Sequence, residues 1–210
     1  MGDKGTIADA QAGLAHYGIA DPGGWSESVK PDDPRLARSR FAVVVRPDDA
    51  LEAAAAFLEA RGYAPVVLEK EATGDARVVA RRHAEAAMRS HERGVRCALI
   101  SGGELTVTVT GSGMGGPNQE YALALALALD DVPGMAALAA DTDGVDGNRD
   151  VAGAYVDGDT AFELEKADVD IDAAQANNDA GGALGEIGAL FVPGPTQTNV
   201  NDLRIILVDP

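Results

Sequence analysis

From residue 47 onward the chain alternates short apolar runs with longer alanine-rich segments, and this alternation limits the possible folds most strongly. Strong helix formers fill 50–61 and 74–93, and apolar runs occupy 65–68 and 96–100. Apolar runs of about 4–8 residues between helical segments are typical of βαβ units. The sequence therefore predicts an α/β fold with a mixed, largely parallel sheet flanked by helices.

The same pattern places the remaining elements. The segment 105–110 alternates apolar and polar residues, which predicts a half-exposed strand. Leucines recur at every second position from Leu123 to Leu129, so the helix that carries them should be buried on most sides. We expect further strands at 41–45, 134–140, 151–156, 189–192 and 203–208, and helices at 7–17, 118–129, 160–166 and 173–185.

The first 40 residues differ in pattern from the rest. Proline- and glycine-rich stretches at 21–24 and 30–34 follow one short helical segment and interrupt regular structure. We therefore expect a linker segment over 1–40 and one α/β domain over 41–210. Within that domain, 41–94 reads as a βαβα segment, and 95–208 carries the polar loops.

The charge of the chain excludes some partners. Its 34 acidic residues outnumber 17 basic ones, which gives a net charge of −17. Such a charge repels nucleic acid and anionic membranes, so neither is expected as a partner. With only four lysines and few large apolar side chains, the composition resembles proteins of salt-loving archaea. An ordinary acidic cytosolic protein is the alternative.

Cysteine content and hydropathy indicate the compartment. Cys97 is the only cysteine, which excludes an intrachain disulfide. No apolar run approaches the ~18 residues of a transmembrane helix, and the polar start lacks a secretory apolar region. We therefore expect a cytoplasmic protein.

Two glycine-rich segments, 101–104 and 111–120, carry residue types that bind phosphate. Glycines let backbone N–H groups approach an anion, and a helix starting near Pro117 adds a positive dipole end. A tight structural turn is the alternative reading of these glycines. The substrate- or phosphate-binding residues predicted here are Ser101, Gly102, Gly103, Gly115, Gly116, Asn118, Gln119 and Glu120, with Glu104 as a catalytic carboxylate.

The glycines also match a dinucleotide-binding fingerprint, Gly111-x-Gly113-x-x-Gly116. The match is weak, because no strand ends in an acidic residue ~20 residues on, where a ribose would need one. Binding of a nicotinamide cofactor is therefore the less favoured interpretation.

An aspartate-rich loop, 141–147, follows a predicted buried strand. Carboxylates are ligands that Mg²⁺ prefers, so Asp143 and Asp146 are the predicted metal ligands. Asp141 is a predicted catalytic residue, and Thr142 is expected to contact substrate. The loop also resembles the start of a calcium loop, but Ala152 stands where that motif needs Glu. A surface loop rich in Asx turns is the alternative.

A third polar loop precedes the last predicted strand. Asn199 and Asn201 are expected to bind substrate or phosphate, and Arg204 to act as a catalytic cation. A guanidinium can hold a phosphate or carboxylate in a bidentate grip. It can equally pair with Asp202 as a structural clamp. If the function is phosphoryl transfer, four segments must share one cleft, namely 101–104, 118–120, 141–146 and 199–204. The last strand must then run antiparallel to its neighbours.

In this order the loops resemble the C-terminal MOFRL domain of the glycerate 2-kinase (type II glycerate kinase) family. Four segments carry the resemblance, and the stretch 41–93 is similar to the segment that precedes this domain in the family. The matching segments are Leu99–Glu104, Gly115–Glu120, Asp141–Gly147 and Thr198–Arg204.

The resemblance implies ATP- and Mg²⁺-dependent phosphorylation of D-glycerate to 2-phosphoglycerate. It also implies a cleft shared with a larger N-terminal nucleotide-contacting domain that this sequence does not contain. Many family members have Arg where this chain has Pro117, so the resemblance does not imply a phosphate clamp from this position. We expect the C-terminal part of a kinase from a truncated gene, inactive alone.

Two other functions stay open at this point. Some relatives are called hydroxypyruvate reductases, so an NAD(P)-dependent reductase is one rival. The other is a non-catalytic binding module, or a remnant whose partner domain is encoded separately.

Overall fold

A computed structural model describes residues 3–40 and 42–210. It divides into two compact units, residues 1–44 and 45–210. In the first unit, helix α1 (Ile7–His16) begins with a capping box between Thr6 and Asp9, and a short 3-10 helix follows at Pro34–Leu36. No side chain between residues 3 and 40 is buried. The linker role of 1–40 stays a prediction.

The second unit contains a six-stranded sheet among its described residues. The strand order is β1-β2-β6-β3-β4-β5, and helices α2 to α7 connect or flank the strands. The strands are β1 (Ala64–Ala72), β2 (Cys97–Gly103), β3 (Met135–Asp141), β4 (Gly153–Asp157), β5 (Leu190–Phe191) and β6 (Asp202–Val208). The helices are α2 (Pro47–Glu59), α3 (Ala76–Glu92), α4 (Pro117–Ala128), α5 (Thr160–Lys166), α6 (Ile171–Ala176) and α7 (Ala180–Glu186).

The sheet is mixed, and the α/β class is confirmed. β1 and β2 are parallel, whereas β6 runs antiparallel to both β2 and β3. The predicted reversal of the last strand is therefore confirmed. The β3–β4 and β4–β5 pairs are also antiparallel, so parallel pairing is confined to β1 and β2 and the sheet is less parallel than the sequence indicates.

The two faces of the sheet are covered differently. One face packs the main core, in which alternate residues of β2, β3 and β6 meet α3, α4 and α7. On the other face, Leu51 and Leu58 of α2 cover Ala98 and Ile100 of β2. α4 is buried from Asn118 to Ala126, as its alternating leucines predict. The first turn of α4 contacts the loop 141–147, because Asn118 and Gln119 donate hydrogen bonds to Asp146.

Three predicted elements differ in the structure. The strand expected at 41–45 is wrong for the described residues 42–45, which have no regular structure and expose Val44 at 89%. Phe41 lies outside the described residues. The strand expected at 105–110 is also wrong, because apart from a single bridge from Thr106 to Asp75 the segment pairs with no neighbouring strand. The helix expected at 173–185 is two helices, α6 and α7, separated by Asn178 at φ 55°.

None of the helices in the described ranges is both long and apolar enough to span a membrane.

Candidate functional site

The first turn of α4 is capped by a carboxylate from a different loop. Asp146 is 2% exposed, and its Oδ1 accepts from the main-chain N–H and the amide of Asn118 at 3.1 and 3.2 Å. Its Oδ2 accepts from the main-chain N–H and the amide of Gln119 at 3.0 and 2.9 Å. Burial raises the pKa of Asp146, while these four donors oppose that shift. Asp146 thus satisfies the helix N-terminus that was expected to bind an anion.

A buried polar network extends from this cap into the sheet. The Asn118 amide donates to Asp202 Oδ1 at 2.7 Å, and Arg204 Nη2 donates to Asp202 Oδ2 at 2.6 Å. Arg204 Nη1 also donates to the Gly102 carbonyl at 3.1 Å. Asp202 and Arg204 are 5% and 1% exposed. Of the two roles considered for Arg204, the clamp with Asp202 is the one that the structure contains.

Two more contacts join the aspartate-rich loop to the segment before β6. Thr142 Oγ1 donates to the Asn201 carbonyl at 2.7 Å, and the Asn199 amide donates to Asp143 Oδ2 at 3.2 Å. Taken with the buried network, direct hydrogen bonds connect all four sequence segments that carry the resemblance. They meet at the edge of the sheet where β2 and β3 end and β6 begins.

Asp141 lies at the half-buried rim of this edge. It is the register partner of Asp202 in the antiparallel β3–β6 pair, and the Asp143 N–H donates to its Oδ1 at 3.0 Å. Burial raises the pKa of Asp141 to about 6; the Asp143 N–H opposes this, and the charges of Asp143 and Asp202 add to it. The pKa of Asp141 therefore lies well above the ordinary value of an aspartate, 3.8.

Arg204 lies on the same face of the sheet as Asp141. Arg204 is paired with Ala139 and Asp202 with Asp141, and side chains two residues apart in a strand point to the same face. Arg204 and Asp141 thus share one face of the sheet, but the buried guanidinium is not open to solvent in this arrangement.

The glycine-rich segment before α4 donates its N–H groups to this chain rather than presenting them to an anion. The N–H groups of Thr110 to Gly115 all have protein acceptors at 2.7–3.0 Å. The acceptors belong to Asn148, Asn177, Asn178 and Asp179. Of the two readings left open for these glycines, the structure favours the structural turn.

Close packing explains several of the glycines. A Cβ on Gly103, at φ +93°, would lie 2.2 Å from the Ala72 backbone, and one on Gly102 would lie 2.8 Å from the Lys70 carbonyl. A Cβ on Gly116 would lie 2.5 Å from the backbone of residues 146 and 147. These positions therefore require glycine whether or not a ligand binds.

Three other predicted site residues lie in different surroundings. Ser101 is buried on β2, Glu104 is exposed just beyond it, and Glu120 is buried on α4. Glu120 pairs with Arg77 of α3 at 2.7 Å rather than with the network around Arg204. It lines a cavity of about 280 Å³ together with Gly115, Gly116, Pro117 and Asn148. None of the residues lining this cavity is Lys or Arg.

Several residues that build the site were not singled out from the sequence. Asp202 was considered only as a possible partner of Arg204. Asn177, Asn178 and Asp179 hold the glycine-rich segment, and their polar run inside a segment predicted to be helical is the signal that points to them. His83 and Tyr121, which lie below Arg204, carry no local sequence signal.

The exposed polar groups at this site suit Mg²⁺ better than they suit the phosphates of a nucleotide. Asp141 and Asp143 offer carboxylate oxygens at the rim, and Mg²⁺ in proteins commonly uses one or two carboxylates. Within 3–40 and 42–210, no group of three or more His, Cys, Asp or Glu is arranged to hold a metal ion. Asp146 is committed to four N–H donors, so the structure gives it a capping role instead of the predicted metal role. These N–H groups are occupied and Arg204 is ion-paired, so neither is free to bind the phosphates of ATP.

The sequence of this chain is similar to that of known proteins. The model of the MOFRL family matches residues 97–202. A D-glycerate 2-kinase of Thermotoga maritima is 36% identical over 211 residues, covering 98% of this chain and 51% of that protein. A protein of Agrobacterium vitis with a provisional hydroxypyruvate reductase name is 38% identical over 222 residues, covering 99% of this chain and 50% of that protein.

The fold comparison agrees with the sequence comparison. The crystal structure of a glycerate kinase from Thermotoga maritima superposes with a TM-score of 0.80 at 34% identity, covering 98% of this chain and 51% of that one. The chain thus spans about half the length of these relatives. It belongs to the MOFRL family, in the group that contains the glycerate 2-kinases.

Proposed function

We propose that this chain is the C-terminal part of an ATP-dependent glycerate 2-kinase, which converts D-glycerate to 2-phosphoglycerate. One observation carries the proposal: direct hydrogen bonds join the four family segments in one cluster, and the Asp141 carboxylate lies at its rim. The similar proteins are about twice as long as this chain, and the bonded N–H groups of these loops and the ion-paired Arg204 are not free to bind the phosphates of ATP. Turnover therefore requires protein groups beyond those in this chain.

In this proposal Asp141 accepts the proton of the attacking glycerate hydroxyl. Phosphoryl transfer depends mainly on positioning and on charge neutralisation, and a catalytic carboxylate commonly orients the nucleophile. Asp143 would hold a magnesium ion, which would supply positive charge to neutralise the phosphates. Asn199 and Thr142 fix the loops from which these carboxylates project.

A coupled assay with ATP, Mg²⁺ and D-glycerate tests whether the chain is sufficient. We expect no turnover above background, with the Thermotoga maritima D-glycerate 2-kinase as the active control. Turnover in the usual range for kinases, ~1–100 s⁻¹, would contradict the need for further protein groups.

A magnesium titration followed by NMR tests the site itself. We expect the amide signals of residues 141–144 and 199–201 to shift in the wild-type chain and to stay unchanged in Asp143→Asn. Asp209→Asn, a carboxylate at the opposite end of β6, is the matched control and should respond like wild type. Shifts confined to other regions would remove the magnesium assignment. Binding of Mg²⁺ without any response to ATP or D-glycerate, even with an active partner domain added, would favour a non-catalytic binding module.

The reductase alternative has less support in the geometry. The formal fingerprint Gly111-x-Gly113-x-x-Gly116 does not follow a strand, and its N–H groups are already bonded within the chain. A fluorescence titration with NADH and NADPH should therefore show no saturable binding. Saturable binding together with reduction of hydroxypyruvate would replace the kinase proposal.

A further inference from the structure

The buried cation Arg204 is held by few hydrogen bonds. Its two terminal nitrogens bond to Asp202 and to the Gly102 carbonyl, whereas its Nε has no partner among the described residues. Its guanidinium carbon lies 5.5 Å from the centroid of the Tyr121 ring. A cation within about 6 Å of an aromatic ring is attracted by the ring face. Tyr121 is therefore the surface against which Arg204 rests.

Tyr121 is in turn fixed by a residue of another helix. The ring is fully buried, and its hydroxyl lies 2.9 Å from Nδ1 of His83, which is 2% exposed on α3. The two rings also pack edge to face, with centroids 5.7 Å apart. The side chains of His83, Tyr121 and Arg204 thus connect α3, α4 and β6.

The surroundings of His83 define its tautomer. Its Nε2 lies 3.4 Å from Oε1 of Glu69 on β1, a carboxylate that also accepts from Arg82. Nε2 makes no hydrogen bond at this geometry, but the negative charge of Glu69 favours a proton on Nε2, which leaves Nδ1 to accept the hydrogen bond from the Tyr121 hydroxyl. Burial lowers the pKa of His83, the Glu69 carboxylate opposes that shift, and Arg204 and Arg82 add to it. A neutral imidazole suits this acceptor role.

We propose that His83 and Tyr121 are positioning residues for Arg204: His83 orients the Tyr121 ring, and the ring holds the guanidinium against Asp202 and Gly102. Any importance of this positioning of Arg204 for catalysis rests on the proposed kinase function. The positioning itself does not, because it can be measured on the chain without any turnover.

The experiment follows the Nε–H signal of Arg204 in ¹⁵N-labelled chain, assigned with Arg204→Lys. Hydrogen exchange of this group is compared with exchange of the Ile206 amide in the same strand. His83→Leu and Tyr121→Phe should each accelerate Arg204 Nε–H exchange about tenfold while Ile206 is unchanged, because only the side chain is released. His83→Gln keeps an acceptor for the Tyr121 hydroxyl and should restore wild-type exchange.

Three results would overturn the inference. If Arg204 and Ile206 exchange change together, His83 and Tyr121 contribute only to general stability. If a long-range ¹H–¹⁵N spectrum places the imidazole proton on Nδ1, His83 does not accept from Tyr121. Should His83→Leu fail to fold, Tyr121→Phe decides alone, since it removes a single oxygen and keeps the ring. If His83→Leu and Tyr121→Phe leave Arg204 Nε–H exchange unchanged while the amide signals of wild type still respond to Mg²⁺, this inference is rejected and the proposed function stands.

Discussion

Removal of the Asp146 carboxylate tests whether this residue caps α4. Asp146→Ala deprives four N–H groups of their acceptor, two on the main chain and two on the side chains of Asn118 and Gln119. All three residues are at most 2% exposed, so water cannot readily replace the carboxylate. We expect a large loss of stability from a single substitution.

The magnitude follows from the number of donors left unpaired. A buried donor without a partner costs about 1–3 kcal/mol, and loss of an N-cap alone costs about 1 kcal/mol. Relief from burying the charge offsets part of this, since burial raises the pKa of Asp146. The net loss should be about 3–4 kcal/mol, comparable with breaking a buried ion pair. Asp146→Asn keeps one acceptor oxygen and should lose about half as much.

Urea unfolding at fixed high salt, followed by circular dichroism, measures the free energy of unfolding, and thermal unfolding under the same conditions measures Tm. For a unit of this size, a loss of 3–4 kcal/mol lowers Tm by about 6–16 °C. Asp143→Ala is the matched control from the same loop, because Asp143 accepts only from the Val145 N–H and the Asn199 amide and is half-buried. It should cost about 1 kcal/mol. An Asp146→Ala variant no less stable than Asp143→Ala would refute the capping argument.

Three further predictions concern packing, pH and salt. Gly103→Ala should cost more than about 3 kcal/mol because its Cβ would overlap the Ala72 backbone, whereas Gly188→Ala, with a similar positive φ in open space, should cost about 1 kcal/mol; equal losses in urea unfolding would contradict this. The folded pKa of Asp141, about 6, lies above its ordinary 3.8, so its contribution to stability falls as pH rises from about 4 to 6. Asp141→Asn should therefore be more stable than wild type by up to about 1 kcal/mol at pH 7.5, after allowance for solvent screening, and equally stable at pH 4. A stability difference that does not change with pH would reject the raised pKa. With a net charge of −17, Tm should rise steeply between 0.1 and 1 M KCl as the Debye length falls from ~10 to ~3 Å, and a flat profile would reject the salt-dependent interpretation.

Local sequence patterns account for most of the secondary structure. α2, α3, α4 and α5 and the strands β1, β2, β3 and β6 lie where periodicity and the positions of proline and glycine predict them. The failures share a cause. The alternating segment 105–110 has strand propensity, but its backbone bonds to Gly74 and to the Asn178 side chain instead of a strand. Strand formation requires a partner, and a partner is not a local property.

The sequence also indicated which segments form the site, because polar and glycine-rich loops between buried strands are rare in so regular a chain. It did not determine what those residues do. The glycines of 111–116 and the first turn of α4 have the composition of an anion site, and only the folded chain shows that Asn178, Asp179 and Asp146 already accept their N–H groups. Those acceptors lie 27 or more residues away in sequence.

Tertiary structure alone decided the state of the charged residues. Arg204 is polar enough to suit a substrate contact, yet β6 pairs with both β2 and β3, and this central position buries Arg204 against Tyr121 and Asp202. The same pairing sets Asp202 opposite Asp141 and helps to raise the pKa of that rim carboxylate to about 6. Composition and periodicity determined the elements and the loops of this protein. Burial and proximity, which depend on strand order, determined which of its polar side chains stay available for chemistry.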